Sequence, residues 1–300
     1  MHTRLWLLTA LALSASCSDE KTGPEVVTSG TLTLVRERSL SELLPTNGHY
    51  EASGIALRKG MLRVVFDNST RVADVDLMLS AGTLGPGGKA DSQYEGITIA
   101  TRPASMIYVV KEIGAGGRGM IVSLDDQGAL VATEPTDTTF SGDKGLEGIA
   151  WLDDIERLLV LCEEGSCGAG DTGPGHGLLK ALRHESGSWV TETTLALPAL
   201  ANFDDYSDVA VLPEPDGTYR IAVLSQETSA LWLGALTTRP LAISGPGVVY
   251  GFPKAAAGLR YCSLEGVTFI DRTTFAIASD RHKDDRGCSK GESVHVFALP

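Results

Sequence analysis

The sequence is poor in the residues and motifs that would announce a familiar chemistry. Among 300 residues there are five cysteines and six histidines, and no CxxC pair or companion histidines stand at zinc-ligand spacing, which argues against a structural zinc site. There is no GxSxG elbow, no Walker loop and no HExxH, so the common signatures of a serine hydrolase, a P-loop nucleotidase and a zinc protease are all missing. Basic residues are scarce: 25 Lys and Arg face 38 Asp and Glu, for a formal charge of −13. A surface of that sign repels nucleic acid and anionic lipid and excludes a binder of phosphate backbones. Long amphipathic helical patterns are absent as well; the nearest, Leu40 to Leu44, is too short to carry a fold. With 43% hydrophobic residues the chain still has ample material for one large all-β domain.

What is present is a repeat. Five times an acid or Ser, then Gly or Asp, opens a hydrophobic burst, and some ten or more residues later a second burst ends in an acid or amide. The instances are Ser53-Gly54-Ile55-Ala56 with Val64-Val65-Phe66-Asp67; Glu95-Gly96-Ile97-Thr98 with Val109-Val110-Lys111-Glu112; Glu147-Gly148-Ile149-Ala150 with Val160-Leu161-Cys162-Glu163; Ser207-Asp208-Val209-Ala210 with Val223-Leu224-Ser225-Gln226; and Glu265-Gly266-Val267-Thr268 with Ile277-Ala278-Ser279-Asp280. Their starts lie 42, 52, 60 and 58 residues apart. A period of that size built from short β-rich bursts is the signature of propeller blades.

The N-terminus reads as an export segment. Arg4 supplies a positive region, Leu5 to Leu13 a short apolar one, and Ser14-Ala15-Ser16 small residues before Cys17. Residues 1–16 are therefore expected to be a lipoprotein signal peptide, Cys17 the lipid-bearing N-terminus, 17–30 a polar tether and 31–300 one propeller domain. The expected location is the cell envelope, as an outer-membrane lipoprotein facing the periplasm or the exterior; simple cleavage and secretion is the alternative. Contact with the membrane is expected only through the lipid. In an exported chain the remaining cysteines read as two local disulfides, Cys162 with Cys167 and Cys262 with Cys288.

Each unit reads as four strands. A carries the Gly-Ile-Ala burst, B ends in the acid, and C and D follow as a hairpin, with C at Met120 to Leu124 and Leu178 to Leu182, and D beginning at Ala129 and running from Trp189 to Leu197. The fifth unit lacks a strand after Val294 to Leu299, while Thr31 to Val35 is unassigned at the other end. Pairing the two would close a ring and protect two open edges. The expected fold is thus an all-β, five-bladed β-propeller closed by an N-terminal strand; six blades, with the long unit between 147 and 207 split, is the alternative.

Antiparallel A and B strands place the start of A and the end of B on the same face of the disc, with A nearest the axis. The repeated polar residues should then form a ring: Ser53, Glu95, Glu147, Ser207 and Glu265 from the A starts, with Asp67, Glu112, Glu163, Gln226 and Asp280 from the B ends. Glu51, Asp205, Glu164 and Glu227 stand close by in sequence. Lys111 and Arg281 adjoin ring acids, but alternation along a strand turns such neighbours to the other face. An oxygen-rich site without clustered His or Cys favours a hard cation, so Ca2+ is the expected cofactor, with Glu95, Glu147, Glu265, Asp67, Glu112 and Glu163 as its ligands. The competing reading makes each Glu a clip that accepts backbone N–H groups of the next unit. Because Ser stands in its place in two units, a clip needed in all five is disfavoured. Smaller signals are the Gly-rich stretch from Gly165 to Gly177, with Asp171 and His176, read as a surface loop; His282, read as exposed; and Trp151, Trp189 and Trp232, which fit strand packing.

The stretches Leu146-Glu147-Gly148-Ile149-Ala150-Trp151, Glu95-Gly96-Ile97 and Leu264-Glu265-Gly266-Val267 resemble the SdiA-regulated, YjiK-like propellers, distant relatives of the NHL-repeat and phytase-like (esterase-like) propellers. The resemblance spans nearly all of the chain after the tether. It implies a five-bladed propeller with a bound calcium, and it brings no established activity. Phytase-type enzymes pair several metals with a basic phosphate cradle, and this ring has too few Lys or Arg positions to make one. Two functions follow as expectations: a monomeric, calcium-stabilised module that binds a small-molecule or protein ligand, or a calcium-dependent hydrolase of a lactone, ester or phosphoester with Glu147 or Asp280 as general base.

Overall fold

The computed structural model describes residues 26–45, 48–88, 92–114, 116–140, 145–162, 177–256, 258–259, 261, 263–280 and 290–300. Strands dominate. β1 (Gly30–Thr31) and β2 (Thr33–Ser39) precede a single helical turn, α1 (Leu40–Leu43), capped by the Ser39 hydroxyl. The first repeat unit is β3 (Ala52–Arg58), β4 (Met61–Phe66), β5 (Ser69–Asp76) and β6 (Gly82–Leu84); the second is β7 (Tyr94–Ala100), β8 (Met106–Lys111), β9 (Arg118–Leu124) and β10 (Leu130–Thr139). β11 (Leu146–Leu152), β12 (Arg157–Cys162), β13 (Leu178–Glu185) and β14 (Ser188–Ala196) form the third. β15 (Asp208–Pro213), β16 (Tyr219–Ser225), β17 (Ala230–Thr238) and β18 (Leu241–Gly251) form the fourth. After a small hairpin, β19 (Lys254–Ala255) and β20 (Gly258–Leu259), come β21 (Leu264–Phe269), β22 (Thr274–Ser279) and β23 (Ser293–Ala298). Among the described residues no helix is long and apolar enough to cross a membrane.

Within each unit neighbouring strands pair antiparallel in chain order, as short β-rich bursts joined by tight turns dictate. The second and third units are joined into one eight-stranded sheet by a single parallel bridge, Thr136 to Trp189. The last unit takes its outer strand from the other end of the chain: β2 runs antiparallel to β23, from Thr33 opposite Ala298 to Ser39 opposite Ser293. This is the pairing expected for Thr31 to Val35, and it is longer than expected. The preceding residues are also engaged, since β1 pairs parallel with β18 and the Ser29 amide donates to the Val249 carbonyl at 2.8 Å. Ser29 and Gly30, which fall within the 17–30 stretch expected as a tether, are thus held against β18.

The first strands of the units, β3, β7, β11, β15 and β21, pack edge to edge around a central axis. Glycine makes that approach possible. A Cβ built on Gly54 would lie 3.0 Å from Gly96 Cα, one on Gly96 2.9 Å from Gly148 Cα, one on Gly148 2.7 Å from Asp208 Cα, and one on Gly266 2.8 Å from Gly54 Cα. These separations are shorter than real carbon contacts, so the second residue of the repeat is glycine wherever backbone meets backbone at the axis. Between units the apolar residues of the strands interdigitate. Ile55, Val64 and Phe66 of the first pack with Ala276, Val294 and Val296 of the last, and Leu224, Leu231 and Leu233 of the fourth with Phe275, Ile277 and Phe297. Trp151, Trp189 and Trp232 are all buried in this packing, as expected, and the Trp232 indole N–H donates to the Pro246 carbonyl at 2.9 Å.

Candidate functional site

At one end of the axis lies a cavity of about 400 Å3, lined by Glu51, Ala52, Ser53, Asp67, Glu95, Glu112, Glu147, Gln226, Glu265 and Asp280. Eight of the ten residues expected in the ring line it, and Ser207 does not. Both candidate bases, Glu147 and Asp280, line it, and so do five of the six expected ligands: Glu95, Glu147, Glu265, Asp67 and Glu112. The sixth, Glu163, falls outside the described residues, as do Glu164, Asp171, His176, Arg281, His282, Cys17, Cys167, Cys262 and Cys288. Cys162 is buried at the end of β12.

Two local devices aim these side chains. The first is a β-bulge at the start of the inner strand, which inserts one extra residue between Ala52 and Gly54, between Tyr94 and Ile97, between Leu146 and Gly148, and between Leu264 and Gly266. The extra residue leaves the ladder and bends the strand, which turns Glu95, Glu147 and Glu265 toward the mouth. The second fixes the acid that follows the B strand. Its amide donates back to the carbonyl two residues before the bulge: Asp67 to Glu51 at 2.8 Å, Glu112 to Gln93 at 3.2 Å and Asp280 to Ser263 at 2.9 Å. Gln93 and Ser263 adopt left-handed backbone, at φ of 54° and 53°, to present those carbonyls. In the third unit the matching position is Gly145, where a Cβ would fall 2.6 Å from the Glu112 side chain. Glycine there makes room for the acid.

The ring is not chemically uniform. Where the repeat carries Ser in place of Glu, the short side chain turns to the seam between units: Ser53 Oγ donates to the Tyr94 carbonyl, and Ser207 Oγ to the Leu264 carbonyl at 2.8 Å. Both serines are 5% exposed. The two serines thus bridge adjoining units, and Glu95, Glu147 and Glu265 line the cavity. Gln226, standing where the other units have an acid, turns its NH2 group to donate to Glu265 Oε2 at 3.0 Å. One ring carboxylate is thus already tied to its neighbour.

Asp205, counted near the ring in sequence, does not line the mouth. It is 9% exposed and accepts from the Ser225 hydroxyl and from the Glu227 amide at 3.0 Å, which fixes the turn after β16. Burial pushes its carboxyl up to about 6, against the pull of these hydrogen bonds. Glu227 is exposed and also lies off the lining.

Among the described lining residues there is no Lys, Arg or His, and seven of the ten are carboxylates. A lining of this composition attracts cations and repels anions. In kind the donors fit calcium, which takes six to eight hard oxygen ligands. In placement they are open: among the described residues no three His, Cys, Asp or Glu side chains form a ready metal-holding cluster. A larger groove of about 640 Å3 lies away from the axis beside Glu214, Arg220, Tyr250 and Arg272. Its charges are already matched, with Glu214 paired to Arg272 and 3.4 Å from Arg220. The axial mouth is the candidate site.

No protein-family profile matches the sequence, and no curated protein matches it. Among solved structures, glutaminyl cyclase from Myxococcus xanthus aligns with a TM-score of 0.51 at 10% identity, over 89% of this chain and 97% of that one. A xylan β-1,4-xylosidase from Bacillus halodurans C-125 aligns with 0.54 at 11% identity, over 83% of this chain and 52% of that one, so this chain spans about half its length. The PQQ-bound aldose sugar dehydrogenase of Streptomyces coelicolor aligns with 0.47 at 16% identity, over 88% of this chain and 98% of that one. The fold is that of a β-propeller. At these identities the likeness carries the fold and nothing of the chemistry.

Proposed function

We propose that this protein is a five-bladed propeller, closed by its N-terminal strand, whose acidic mouth binds calcium, and that it acts as a binding or scaffolding module of the cell envelope in the manner of the SdiA-regulated propellers. The observation that carries the reading is the mouth itself, seven carboxylates around about 400 Å3 with no basic side chain among its described lining residues. Glu95, Glu147 and Glu265 would hold the ion, with water completing its coordination. Five blades are supported by the hydrogen-bonded order within each unit, including β11 to β14 in the stretch that a six-bladed count would split. Export through residues 1–16, lipid on Cys17 and the disulfides Cys162 with Cys167 and Cys262 with Cys288 belong to the same proposal.

A module needs no nucleophile, and among the described lining residues the one hydroxyl, Ser53, is committed to the Tyr94 carbonyl. The second reading is a calcium-dependent hydrolase of a lactone, ester or phosphoester. It is favoured by Glu147 and Asp280 sharing the cavity, where either could take a proton from water. A bound cation would supply polarisation of the substrate oxygen.

The test is calcium titration by calorimetry and thermal unfolding, on the wild type and Glu147→Gln. A dissociation constant of about 10 µM would add about 2.7 kcal/mol at about 1 mM calcium, a rise in Tm of about 5 °C or more. The variant should respond less. Absence of both heat and Tm response at millimolar calcium would remove the calcium site. A lactone, arylester and phosphoester panel separates the two roles: calcium-dependent turnover abolished in Glu147→Gln means the hydrolase, and silence means the module.

A further inference from the structure

Four units place glycine at the axis, and the fourth places Asp208. The register shows that the positions are equivalent, since Asp208 lies opposite Leu224, one residue before the end of its B strand, as Gly54 lies opposite Val65. Asp208 is therefore the one side chain the five repeat units carry at this axial position, where the other four have glycine against neighbouring backbone. It is 1% exposed.

Burial pushes its carboxyl well above the ordinary carboxylate range, against the pull of the backbone amides that meet it. Oδ1 accepts from the Val209 N–H at 2.8 Å, Oδ2 from the Val267 N–H at 2.7 Å, and the Ile149 N–H donates as well. Ile149, Val209 and Val267 are the same residue of the repeat, the one after the axial position, in three successive units. Three convergent N–H groups around a planar carboxylate make an anion cradle of the kind found in backbone nests. Above it lies the acidic mouth. On the other side is a narrower cavity of about 140 Å3, lined by Ile55, Ile97, Thr98, Ile149, Val209 and Thr268 among others. The carboxylate sits at the waist between the two.

We propose that the axial amides of Ile149, Val209 and Val267 form an anion-binding site whose ligand the chain itself supplies, and that the site takes a small external carboxylate when the Asp208 side chain is removed. Formate is the fitting probe: it carries the same two oxygens, and the close backbone leaves little room for more. The bound side chain also closes the waist, so a ligand of the mouth enters and leaves by one face.

Asp208→Gly gives the fourth unit the residue that the other four carry, so the backbone is expected to accept it. Thermal unfolding of this variant and of the wild type would be followed in sodium formate and in sodium chloride of equal ionic strength. The variant should lose about 5 °C or more in chloride, as the amides lose their acceptor, and regain at least half of that in formate with a saturable dose response, while the wild type is unmoved. Parallel responses of variant and wild type would overturn the proposal. Asp208→Asn fills the same volume but turns an NH2 toward an amide donor, so it should be less stable than Asp208→Gly in formate; wild-type stability of the Asn variant would make the side chain a space-filler and also overturn it. If Asp208→Gly does not fold alone, refolding from urea only when formate is present supports the site, and failure in both salts refutes it.

Discussion

Replacing Glu37 by Gln should weaken the closure of the ring in a pH-dependent way. Glu37 lies on β2, the strand that the chain's beginning lends to its end, and its carboxylate gathers partners from three places. Lys290 Nζ donates to Oε1, the Tyr261 hydroxyl donates to Oε2 at 3.2 Å, and His295 Nδ1 stands 3.4 Å from Oε2. His295 is fully buried on β23, and its Nε2 lies 3.0 Å from the Ser279 hydroxyl. The His295 contact first, and Lys290 next, hold the Glu37 carboxyl down from an ordinary 4.5 to about 2, against the cost of burial. At 1.36 kcal/mol per pH unit this sets a ceiling of about 3 kcal/mol. The side chain keeps 20% of its surface exposed, so solvent screening reduces it to about 1–2 kcal/mol. A group whose folded pKa is depressed stabilises fully above its unfolded pKa and loses that contribution as pH falls through the folded one. Urea denaturation of wild type and Glu37→Gln should therefore show the full gap at pH 5 to 7, narrowing below 4.5 and closing near 2. Glu42, whose pair with Arg38 is more than half exposed on the carboxylate side, is the control, and Glu42→Gln should change little. A Glu37→Gln gap under about 0.5 kcal/mol at pH 7, or one that does not vary between pH 5 and 2, would refute the clasp.

Two further outcomes test the axis and the turn behind the mouth. Gly96→Ala should destabilise by about 3 kcal/mol, the upper end for overpacking, because its methyl would sit 2.8 Å from the Glu147 carbonyl oxygen and 2.9 Å from Gly148 Cα, both rigid backbone; wild-type stability in urea would mean that the inner strands are not held at this spacing. Asp205 has a raised folded pKa, so the folded state keeps its proton longer, and this group's contribution to stability should fall as pH rises from about 4 to about 6 and then level off. The fall is on the order of 2–3 kcal/mol, and Asp205→Asn, which keeps an acceptor oxygen for Ser225 and Glu227, should abolish it; superimposable stability curves of the two proteins from pH 4 to 7 would sink the assignment.

The repeat was readable because its spacing is enforced by sterics. Glycine recurs where a neighbouring backbone lies within 3 Å of the place a Cβ would occupy, and apolar bursts recur where strands are buried between units. The ring followed from strand parity alone, and the terminal strand pair from counting an odd strand at each end. Strand parity did not reveal the bulges, which shift one residue out of the ladder and decide which side chains reach the mouth. Nor did sequence separate Asp205 from the ring: both it and Glu51 stand two residues before a repeat start, yet one turns in toward Ser225 and the other lines the cavity. Ser207-Asp208 reads like any polar pair. Only the position of Asp208 among four axial glycines gives its carboxylate a separate role.

The two chemistries at the bulge position divide stability from recognition. A serine there is short enough that its hydroxyl reaches only the carbonyl of the adjoining unit, as Ser53 and Ser207 do, and a glutamate is long enough to pass that seam and end in the cavity. Side chains, Ser53, Ser207 and Asp208 among them, and close-packed backbone together hold the seams around the axis. The seven carboxylates on the described lining give the mouth the sign that the proposed cation binding requires. Asp208 fits the same arrangement: its side chain takes up three axial amides that would otherwise offer positive partial charge beneath the acids.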